Sequence, residues 1–298
     1  GVMMRAPEGL SVAVRRPDLA GHLQPLGVVG QVMPVQANLR FPDSVARAAE
    51  GASAIVNLVG ILYQSGAQRF DAVQAEGAEA VAKVAKKEGA RLVQMSAIGA
   101  DRSSKSNYGR TKALGEEAAL SAKRDAVIVR PSIVFGPEDD FFNRFASLAR
   151  ISPFLPLIGG GETKFQPVFV GDVAEAIAKA VEGEARGGET YELGGPEVMN
   201  FRELLELTLE QIGRKRLLLP LPWTVARIQA FFMEMMPKPM LTRDQVTMLE
   251  TDNIVSAKAT ADQRTLEGLG INPTAMRAIL PNYLWRYRKA GQFTKTPN

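Results

Sequence analysis

A tyrosine and a lysine four residues apart, Tyr108 and Lys112, have the residue types and the spacing in this chain that best suit chemistry. On a helix they lie on one face, one turn apart. An ammonium beside a phenol stabilises the phenolate, so we expect Lys112 to lower the pKa of Tyr108 from its ordinary value of ~10. The pair is therefore predicted to donate or accept a proton at neutral pH.

Ser96 is the third residue of this predicted site. It ends a very apolar segment, 91–96, which predicts a buried strand directly before the helix that carries the pair. In open α/β sheets ligands bind at the carboxyl ends of the strands. One Tyr-x-x-x-Lys among five tyrosines is a weak signal by itself, so the surrounding order of elements decides its meaning.

Short apolar runs alternate with helical patterns over the first half of the chain. The predicted strands are 10–14, 28–35, 54–59, 92–96 and 126–130, and the predicted helices are 70–88 and 111–123. Short apolar runs are typical of parallel strands buried on both faces. Their alternation with helices predicts an α/β fold, a doubly wound parallel (Rossmann) sheet.

After Phe135-Gly136-Pro137 the composition becomes Phe-rich, Pro-rich and then Met-rich, which predicts a smaller α-rich C-terminal lobe. Segment 166–171 and the helical stretch 172–182 indicate a return to the sheet. We therefore predict a nucleotide-binding Rossmann domain over 1–136 plus 166–195 and a small docking lobe over 137–165 plus 196–298. Asp172 is expected at a helix N-cap, a structural role.

The start of the usual dinucleotide fold is not visible in this sequence. Such a fold opens with a strand and a Gly-rich turn that brings the backbone close to the pyrophosphate. No Gly-x-x-Gly-x-x-Gly occurs, and segment 1–6 reads as the body of the first helix. We expect the fragment to start just after the motif, which leaves the pyrophosphate site unassigned.

Arg15 and Arg16 follow the predicted strand 10–14, where a dinucleotide fold meets the adenosine ribose. Two guanidiniums at this place favour the 2′-phosphate of NADP(H) over NAD(H). The alternative is a pair of solvated surface arginines, and Asp18 close by keeps NAD(H) open.

Two other strand ends carry glycine or proline. Segment 57–60 ends on Gly60, which lets a ligand approach the backbone or simply makes a turn. Pro131 has no N–H for a strand partner, so its strand is expected to stop there and to expose backbone groups. Taken by itself, that second segment favours a plain exit from strand to loop with a Gly-Pro turn.

Composition excludes several classes of protein. The 298 residues carry a net charge of +4, no cysteine and one histidine, His22. Disulfides and Cys-ligated metals are excluded, and we predict no metal site. The sequence contains no apolar run of ~18 or more residues, so no transmembrane helix is predicted. The mild net charge is too diffuse to indicate nucleic-acid binding.

Segment 223–236 has an unusual apolar face. Val225, Ile228, Phe232 and Met236 share one side of a predicted helix. Large aromatics and flexible methionines suit an adaptable interface. The alternatives left open are a face packed in the core of the second lobe, a docking surface, and lipid contact at 223–243.

In this order the motifs resemble the extended short-chain dehydrogenase/reductase superfamily. The superfamily motifs are Asn57-Leu58-Val59-Gly60, Ser96, Tyr108-x-x-x-Lys112 and Arg130-Pro131-x-x-x-Phe135-Gly136-Pro137. A narrower resemblance, to the nucleotide-binding accessory subunit of respiratory complex I (NADH:ubiquinone oxidoreductase), is carried by 96–101, 139–145, 166–173, 242–246 and 283–288.

The resemblance implies a subunit that binds NADP(H) tightly without turnover and stabilises the peripheral arm with other complex I subunits. It implies a peripheral place on the cytoplasmic or matrix side of a bacterial or mitochondrial inner membrane. The implied cofactor-binding residues are Arg15, Arg16, Asn38, Leu39, Val59, Gly60, Ser96, Tyr108, Lys112, Pro131 and Ile133. The alternative is an active NADP-dependent reductase or epimerase in which Tyr108, Lys112 and Ser96 are catalytic.

Overall fold

The computed structural model describes residues 1–6, 9–236 and 239–289. The chain forms two compact units, one of 1–130 with 176–191 and one of 131–175 with 192–298. The predicted lobes had other boundaries, 1–136 with 166–195 and 137–165 with 196–298, and the roles assigned to them stay predictions.

Strands and helices alternate along the first unit, as the sequence indicated. The strands of the described residues are β1 (Val2–Ala6), β2 (Gly9–Val14), β3 (Val32–Gln36), β4 (Ala54–Asn57), β5 (Arg91–Met95), β6 (Val127–Pro131), β7 (Val134–Phe135), β8 (Phe154–Ile158), β9 (Lys164–Phe165), β10 (Val168–Phe169), β11 (Thr190–Leu193), β12 (Met199–Asn200) and β13 (Leu217–Leu221). The α-helices are α1 (Pro42–Ala48), α2 (Glu76–Glu88), α3 (Asn107–Ala122), α4 (Phe141–Ile151), α5 (Val170–Glu182), α6 (Phe201–Gln211), α7 (Trp223–Met233), α8 (Arg243–Met248), α9 (Ala257–Ala261), α10 (Met276–Ile279) and α11 (Pro281–Leu284).

Seven strands form one sheet in the order β11-β6-β5-β4-β1-β2-β3. The pairs β2–β3, β4–β5 and β5–β6 are parallel, which confirms the predicted doubly wound parallel sheet except at β1, which runs antiparallel to its neighbours. The carboxyl ends of β2, β3, β4, β5 and β6 therefore meet at one edge. This edge is where a ligand of such a sheet binds.

The prediction that segment 1–6 belongs to a helix is wrong. β1 pairs antiparallel with β2 on one side and with β4 on the other. Val2 and Met4 are buried while Arg5 is exposed, an alternation that suits a strand. Pairing on both sides outweighs the helix propensity of the Met, Arg and Ala residues in this segment, since tertiary contacts routinely override propensity. Only residues 7 and 8 separate β1 from β2, and so short a connection joins antiparallel strands.

The predicted strand 28–35 is also shorter than expected. β3 begins at Val32. Gly30 has a φ of 81°, and Val28 and Val29 are exposed. A left-handed glycine turns the chain instead of extending it, so 28–31 form a turn.

The core of the first unit lies between the sheet and its helices. It is built from small and β-branched side chains, among them Val45, Ile55, Val81, Leu92 and Ile128. Helix α2 ends at Gly89, which adopts a left-handed φ of 66° and stops the helix directly before β5. These contacts fix the strand ends that carry the candidate site.

The second unit has a separate core rich in phenylalanine, in which Phe135, Phe142 and Phe201 are fully buried. The N-cap prediction for Asp172 is wrong, because α5 begins two residues earlier, at Val170. The buried Asp172 carboxylate instead accepts hydrogen bonds from Thr274, at 2.7 Å from its N–H and 2.8 Å from its hydroxyl. A partner 102 residues away is invisible to local patterns.

Helix α7 has the reverse of the usual amphipathic arrangement. Its small residues Ala226 and Ala230 are buried, while its large apolar side chains are exposed: Val225, Ile228, Phe231 and Phe232, followed by Met235 and Met236. Its one charged side chain, Arg227, pairs with Glu250, and Glu234, directly after the helix, pairs with Arg243. The interpretation as a face packed in the lobe's own core is therefore wrong. None of the described helices combines the length and apolar character that crossing a membrane requires.

Candidate functional site

The carboxyl edge of the sheet brings most of the predicted site residues of the first unit into one row. Arg15 and Arg16 follow β2, and Asn38 follows β3. Gly60 follows β4, and Ser96 directly follows β5, where its N–H donates to Val129 O at 2.7 Å. The strand order thus assembles residues that are far apart in sequence.

Helix α3 places Tyr108 and Lys112 beside this row. Ser106 caps the helix by accepting a hydrogen bond from the Gly109 N–H at 3.2 Å. A Cβ at position 109 would lie 2.7 Å from the Ser104 hydroxyl, so only glycine lets the first turn approach the loop after β5. The helix begins at Asn107, four residues before its predicted start, and Tyr108 lies in its first turn.

Lys112 is a buried cation. Its Nζ donates to Met95 O at 3.2 Å and lies 5.8 Å from the centre of the Tyr108 ring. Burial lowers the pKa of Lys112 to about 8, against the opposing effect of Glu116. A Cβ on Gly60 would lie 3.2 Å from the same Nζ, so the glycine keeps the space beside the ammonium open.

The expectation of a lowered Tyr108 pKa is wrong. Burial raises the pKa of Tyr108 to about 12. The ring packs edge-on against Phe70, with centroids 6.1 Å apart. The free energy needed to remove the phenolate from water exceeds the electrostatic stabilisation by the nearby ammonium, so the phenol stays protonated at neutral pH.

Ser96 gives a direct indication of a ligand. Its hydroxyl is buried and, among the described residues, has no hydrogen-bond partner. A buried hydroxyl without a partner costs free energy that a bound polar group would recover. This orphaned hydroxyl, the Lys112 ammonium and the uncovered Gly60 backbone fit a ligand rich in hydroxyl groups, such as the ribose of a nicotinamide dinucleotide.

The buried side chains of Asn57 and Gln94 hold this edge in place. The sequence did not predict this role for either residue. Asn57 donates from Nδ2 to Gln94 Oε1 at 2.9 Å and accepts from the Val59 N–H at 3.1 Å, which fixes the turn into Gly60. Asn57 appeared only as part of a motif, and Gln94 had no sequence signal beyond its place in an apolar strand.

Gln74 is a third buried side chain that supports this edge and was not predicted. It donates to Ile61 O at 2.9 Å and accepts from the Thr111 hydroxyl at 2.9 Å, so it ties the loop after β4 to α3. It lies in a π-helical turn, 71–75, and such turns are frequent at functional sites. A Cβ on Gly115 would lie 2.2 Å from Gln74 O, so α3 packs against this turn with no space to spare.

The adenosine end of the row is more open. Arg15 and Arg16 are exposed, and Arg16 pairs with Asp18 at 2.9 Å. Asn38 accepts from the Arg40 N–H at 3.1 Å. Leu39 and Val59 pack in or against the core of the unit, so a ligand would meet their backbone. Pro131, at the end of β6, and Ile133, which packs on the phenylalanine-rich core, belong to the second unit. Their role beside a nicotinamide stays a prediction.

The described residues hold no group of three or more His, Asp or Glu side chains arranged for a metal ion. His22 is exposed, and its Nδ1 lies 3.2 Å from Leu19 O.

Comparison with known proteins identifies the family. Residues 64–267 match the RmlD substrate binding domain. The NADH dehydrogenase (ubiquinone) 1 alpha subcomplex subunit 9 of Arabidopsis thaliana mitochondria is 37% identical over 286 residues, which cover 92% of this chain and 70% of the relative.

Solved structures show the same fold. A dTDP-glucose 4,6-dehydratase from Streptomyces venezuelae, crystallised with NAD and TYD, has a TM-score of 0.70 and 20% identity over 94% of this chain and 87% of that chain. A dTDP-4-dehydrorhamnose reductase from Bacillus anthracis, crystallised with NADP, has a TM-score of 0.57 and 18% identity over 71% and 84%. With the Rossmann-type sheet and the matched motifs, these findings show that the chain belongs to the family of the alpha subcomplex subunit 9 of NADH:ubiquinone oxidoreductase, built on the RmlD-type short-chain dehydrogenase fold.

Proposed function

We propose that this chain is an accessory subunit of respiratory complex I that binds NADP(H) tightly, does not turn it over, and stabilises the assembly. The observation that carries the assembly role is the reversed amphipathicity of α7, because its large apolar side chains face solvent while its small residues Ala226 and Ala230 are buried. The 37% identity to a named complex I subunit supports the assignment of other complex I subunits as its partners.

The exposed face of α7 suits a permanent protein interface. Val225, Ile228, Phe231 and Phe232 together present aromatic and branched side chains of the kind enriched at interface centres. Arg243 lies 5.2 Å from the Phe231 ring centre and gives this face a polar rim. We assign this face to a neighbouring complex I subunit, and lipid contact over 223–243 is the second assignment.

The nucleotide is assigned to the carboxyl edge of the first unit. Tyr108 and Lys112 would hold the hydroxyl groups of the nicotinamide ribose, and Gly60 would face that ribose. The buried Ser96 hydroxyl would form a hydrogen bond with the bound nucleotide. Arg15 and Arg16 would bind the 2′-phosphate of NADP(H), with Asn38 near the adenine. When bound, the nicotinamide ring supplies hydride-transfer chemistry.

Binding without turnover is supported by the pKa shift of Tyr108. Burial holds the Tyr108 phenol protonated with a pKa of about 12, far above neutral pH. A proton relay works best when the pKa of its acid or base lies near the working pH. A tightly bound nucleotide would stabilise the folded subunit by mass action and so favour assembly.

The proposal is tested by capturing the tagged subunit from native membranes after gentle detergent solubilisation. Mass spectrometry then identifies the co-purifying proteins and the released nucleotide. Complex I subunits in fixed ratio with NADP(H) are expected. Recovery of the chain without respiratory partners would refute the assembly role, and recovery without nucleotide would refute the cofactor.

The preference for NADP(H) is tested separately. The double variant Arg15→Gln/Arg16→Gln should lose NADP(H) or shift its preference toward NAD(H), because the 2′-phosphate loses both charges. Arg40→Gln, which removes an exposed arginine stacked on Phe41, serves as the charge control. Unchanged NADP(H) retention in the double variant would contradict the assignment.

A second function, an active NADP-dependent reductase or epimerase, is favoured by one observation. The buried Ser96 hydroxyl without a partner is placed where it could hold a substrate oxygen. Tyr108 would then donate the proton and Lys112 would orient the ribose. Tyr108→Phe separates the two functions, because nucleotide occupancy and complex I activity should persist in an accessory subunit, whereas a reductase would lose turnover.

The place of the subunit follows from its partners. As part of complex I it would lie peripherally at the arm junction, on the matrix side of the mitochondrial inner membrane or the cytoplasmic side of a bacterial one. Protease protection of the tagged chain in sealed vesicles of known orientation tests this placement.

A further inference from the structure

An ion pair between a buried carboxylate and a partly buried arginine lies one helical turn beyond Lys112. The Glu116 carboxylate is buried on α3, and Arg130 at the end of β6 binds both of its oxygens, with Nε–Oε1 at 2.8 Å and Nη2–Oε2 at 2.6 Å. Two parallel hydrogen bonds fix the carboxylate plane as well as its position. The i, i+4 spacing places Glu116 on the same helix face as Lys112.

A buried ammonium needs a compensating charge, because moving it out of water is costly. The Lys112 ammonium donates a hydrogen bond to a neutral carbonyl, Met95 O. The titratable groups around the ammonium are Tyr108 and Glu116 on its own helix and Arg130 on β6, with Asp101 in the loop after β5 facing Arg130. Glu116 is the anion of this group that acts on Lys112.

We propose that Glu116, clamped by Arg130, is a positioning residue that keeps the Lys112 ammonium charged so that it can hold the ribose of the nucleotide. The two hydrogen bonds from Arg130 hold the Glu116 carboxylate in place one helical turn from Lys112, and the carboxylate stabilises the proton on Lys112. The inference rests on the proposed nucleotide site and adds the group that sets the pH range over which that site works.

The sign of the effect follows from the charges. Burial already brings the pKa of Lys112 down to about 8, and Glu116 opposes that fall. Without the Glu116 charge this opposing effect would be lost, and the pKa of Lys112 would fall further. A neutral lysine has lost one donor and its charge-assisted hydrogen bonds to the ribose, so nucleotide affinity should drop at a lower pH than in the parent chain.

The test measures NADPH binding to the full chain by nucleotide fluorescence from pH 6 to 9. In Glu116→Gln the midpoint of the affinity loss should move down by about one pH unit, which makes binding about fivefold weaker near pH 8 and about tenfold weaker near pH 9. Glu117→Gln is the matched control, because Glu117 is the next residue on the same helix, exposed and paired with Arg102 at 3.3 Å. Its profile should coincide with that of the parent.

Removing one partner of a buried pair can destabilise a protein. The double variant Glu116→Gln/Arg130→Gln leaves no unpaired charge and should also show the lower midpoint. A second measurement needs no variant, since NMR titration of 13C-labelled lysine in the parent chain should show Lys112 charged at pH 7.

The outcomes are distinct. A folded Glu116→Gln or double variant with the parent pH profile would overturn the inference, as would a Lys112 that is neutral at pH 7 in the parent chain. A parent chain that binds no NADPH at any of these pH values would instead overturn the proposed nucleotide site itself.

Discussion

Because the apolar face of α7 is exposed, we expect the double variant Ile228→Ser/Phe232→Ser to keep its stability and to lose assembly. These side chains are 56% and 63% exposed in the free chain. Because solvent already covers most of their surface, the free energy of unfolding should change by no more than about 0.5 kcal/mol per site. Substitution at buried positions of comparable size would cost several times more.

Assembly should respond in the opposite way. Complete burial of such a side chain contributes about 1.5–3 kcal/mol relative to full exposure. More than half of each surface remains to be covered by a partner, so the two side chains together should contribute about 3 kcal/mol, on the order of a hundredfold in affinity. The variant should therefore fold normally and be nearly absent from the assembled complex.

The assay pairs urea unfolding of the purified chain with the yield of complex I captured through the tagged subunit. Val198→Ser and Ile151→Ser, two exposed apolar sites on other elements of the same unit, are the matched controls and should assemble normally. Normal assembly of the α7 variant would refute the docking surface. A loss of more than about 2 kcal/mol of stability would refute the exposed placement of the face.

Three further predictions concern the core and the site. Phe142→Ala should cost about 3–5 kcal/mol because the ring is fully buried, whereas Phe154→Ala, at a half-exposed ring, should cost far less; urea unfolding compares them. Gly115→Ala should destabilise the chain by about 1–3 kcal/mol and weaken nucleotide binding, since its Cβ would press on Gln74 O; a stable variant with full affinity would contradict the packing of α3. Lys112 has a folded-state pKa of about 8 against 10.5 for the free side chain, so the unfolded chain binds the extra proton between these values and the contribution of this group to stability rises with pH. The unfolding free energy of the parent relative to Lys112→Met should thus increase by up to about 3 kcal/mol between pH 7.5 and 10.5, and a constant difference would show that Lys112 is not desolvated.

The sequence by itself determined the parallel sheet and the helix that carries the site. Strands such as 92–96 are short apolar runs buried on both faces, and this pattern is local and therefore readable. The four-residue spacing of Tyr108 and Lys112 fixes their common face on any helix. Once that helix follows a strand ending at Ser96, the three residues must approach one another.

The tertiary structure alone decided the features that depend on distant partners. Segment 1–6 is a strand because β2 and β4 pair with it from both sides, and Asp172 is buried against Thr274 instead of capping its helix. The apolar periodicity of α7 is the same whether its face is buried or exposed, so only the packing of Ala226 and Ala230 could show which side faces the unit.

The charge state of the site also depends on tertiary packing. Sequence spacing correctly put Lys112 beside Tyr108, and the geometry then reversed the expected effect, because desolvation of the phenol outweighs the attraction of an ammonium 5.8 Å from the ring. The spacing of residues along a helix decides which side chains lie on one face, because this depends only on the helical repeat of the backbone. Burial depends on everything that packs around them, and burial sets the free energy of their charged forms.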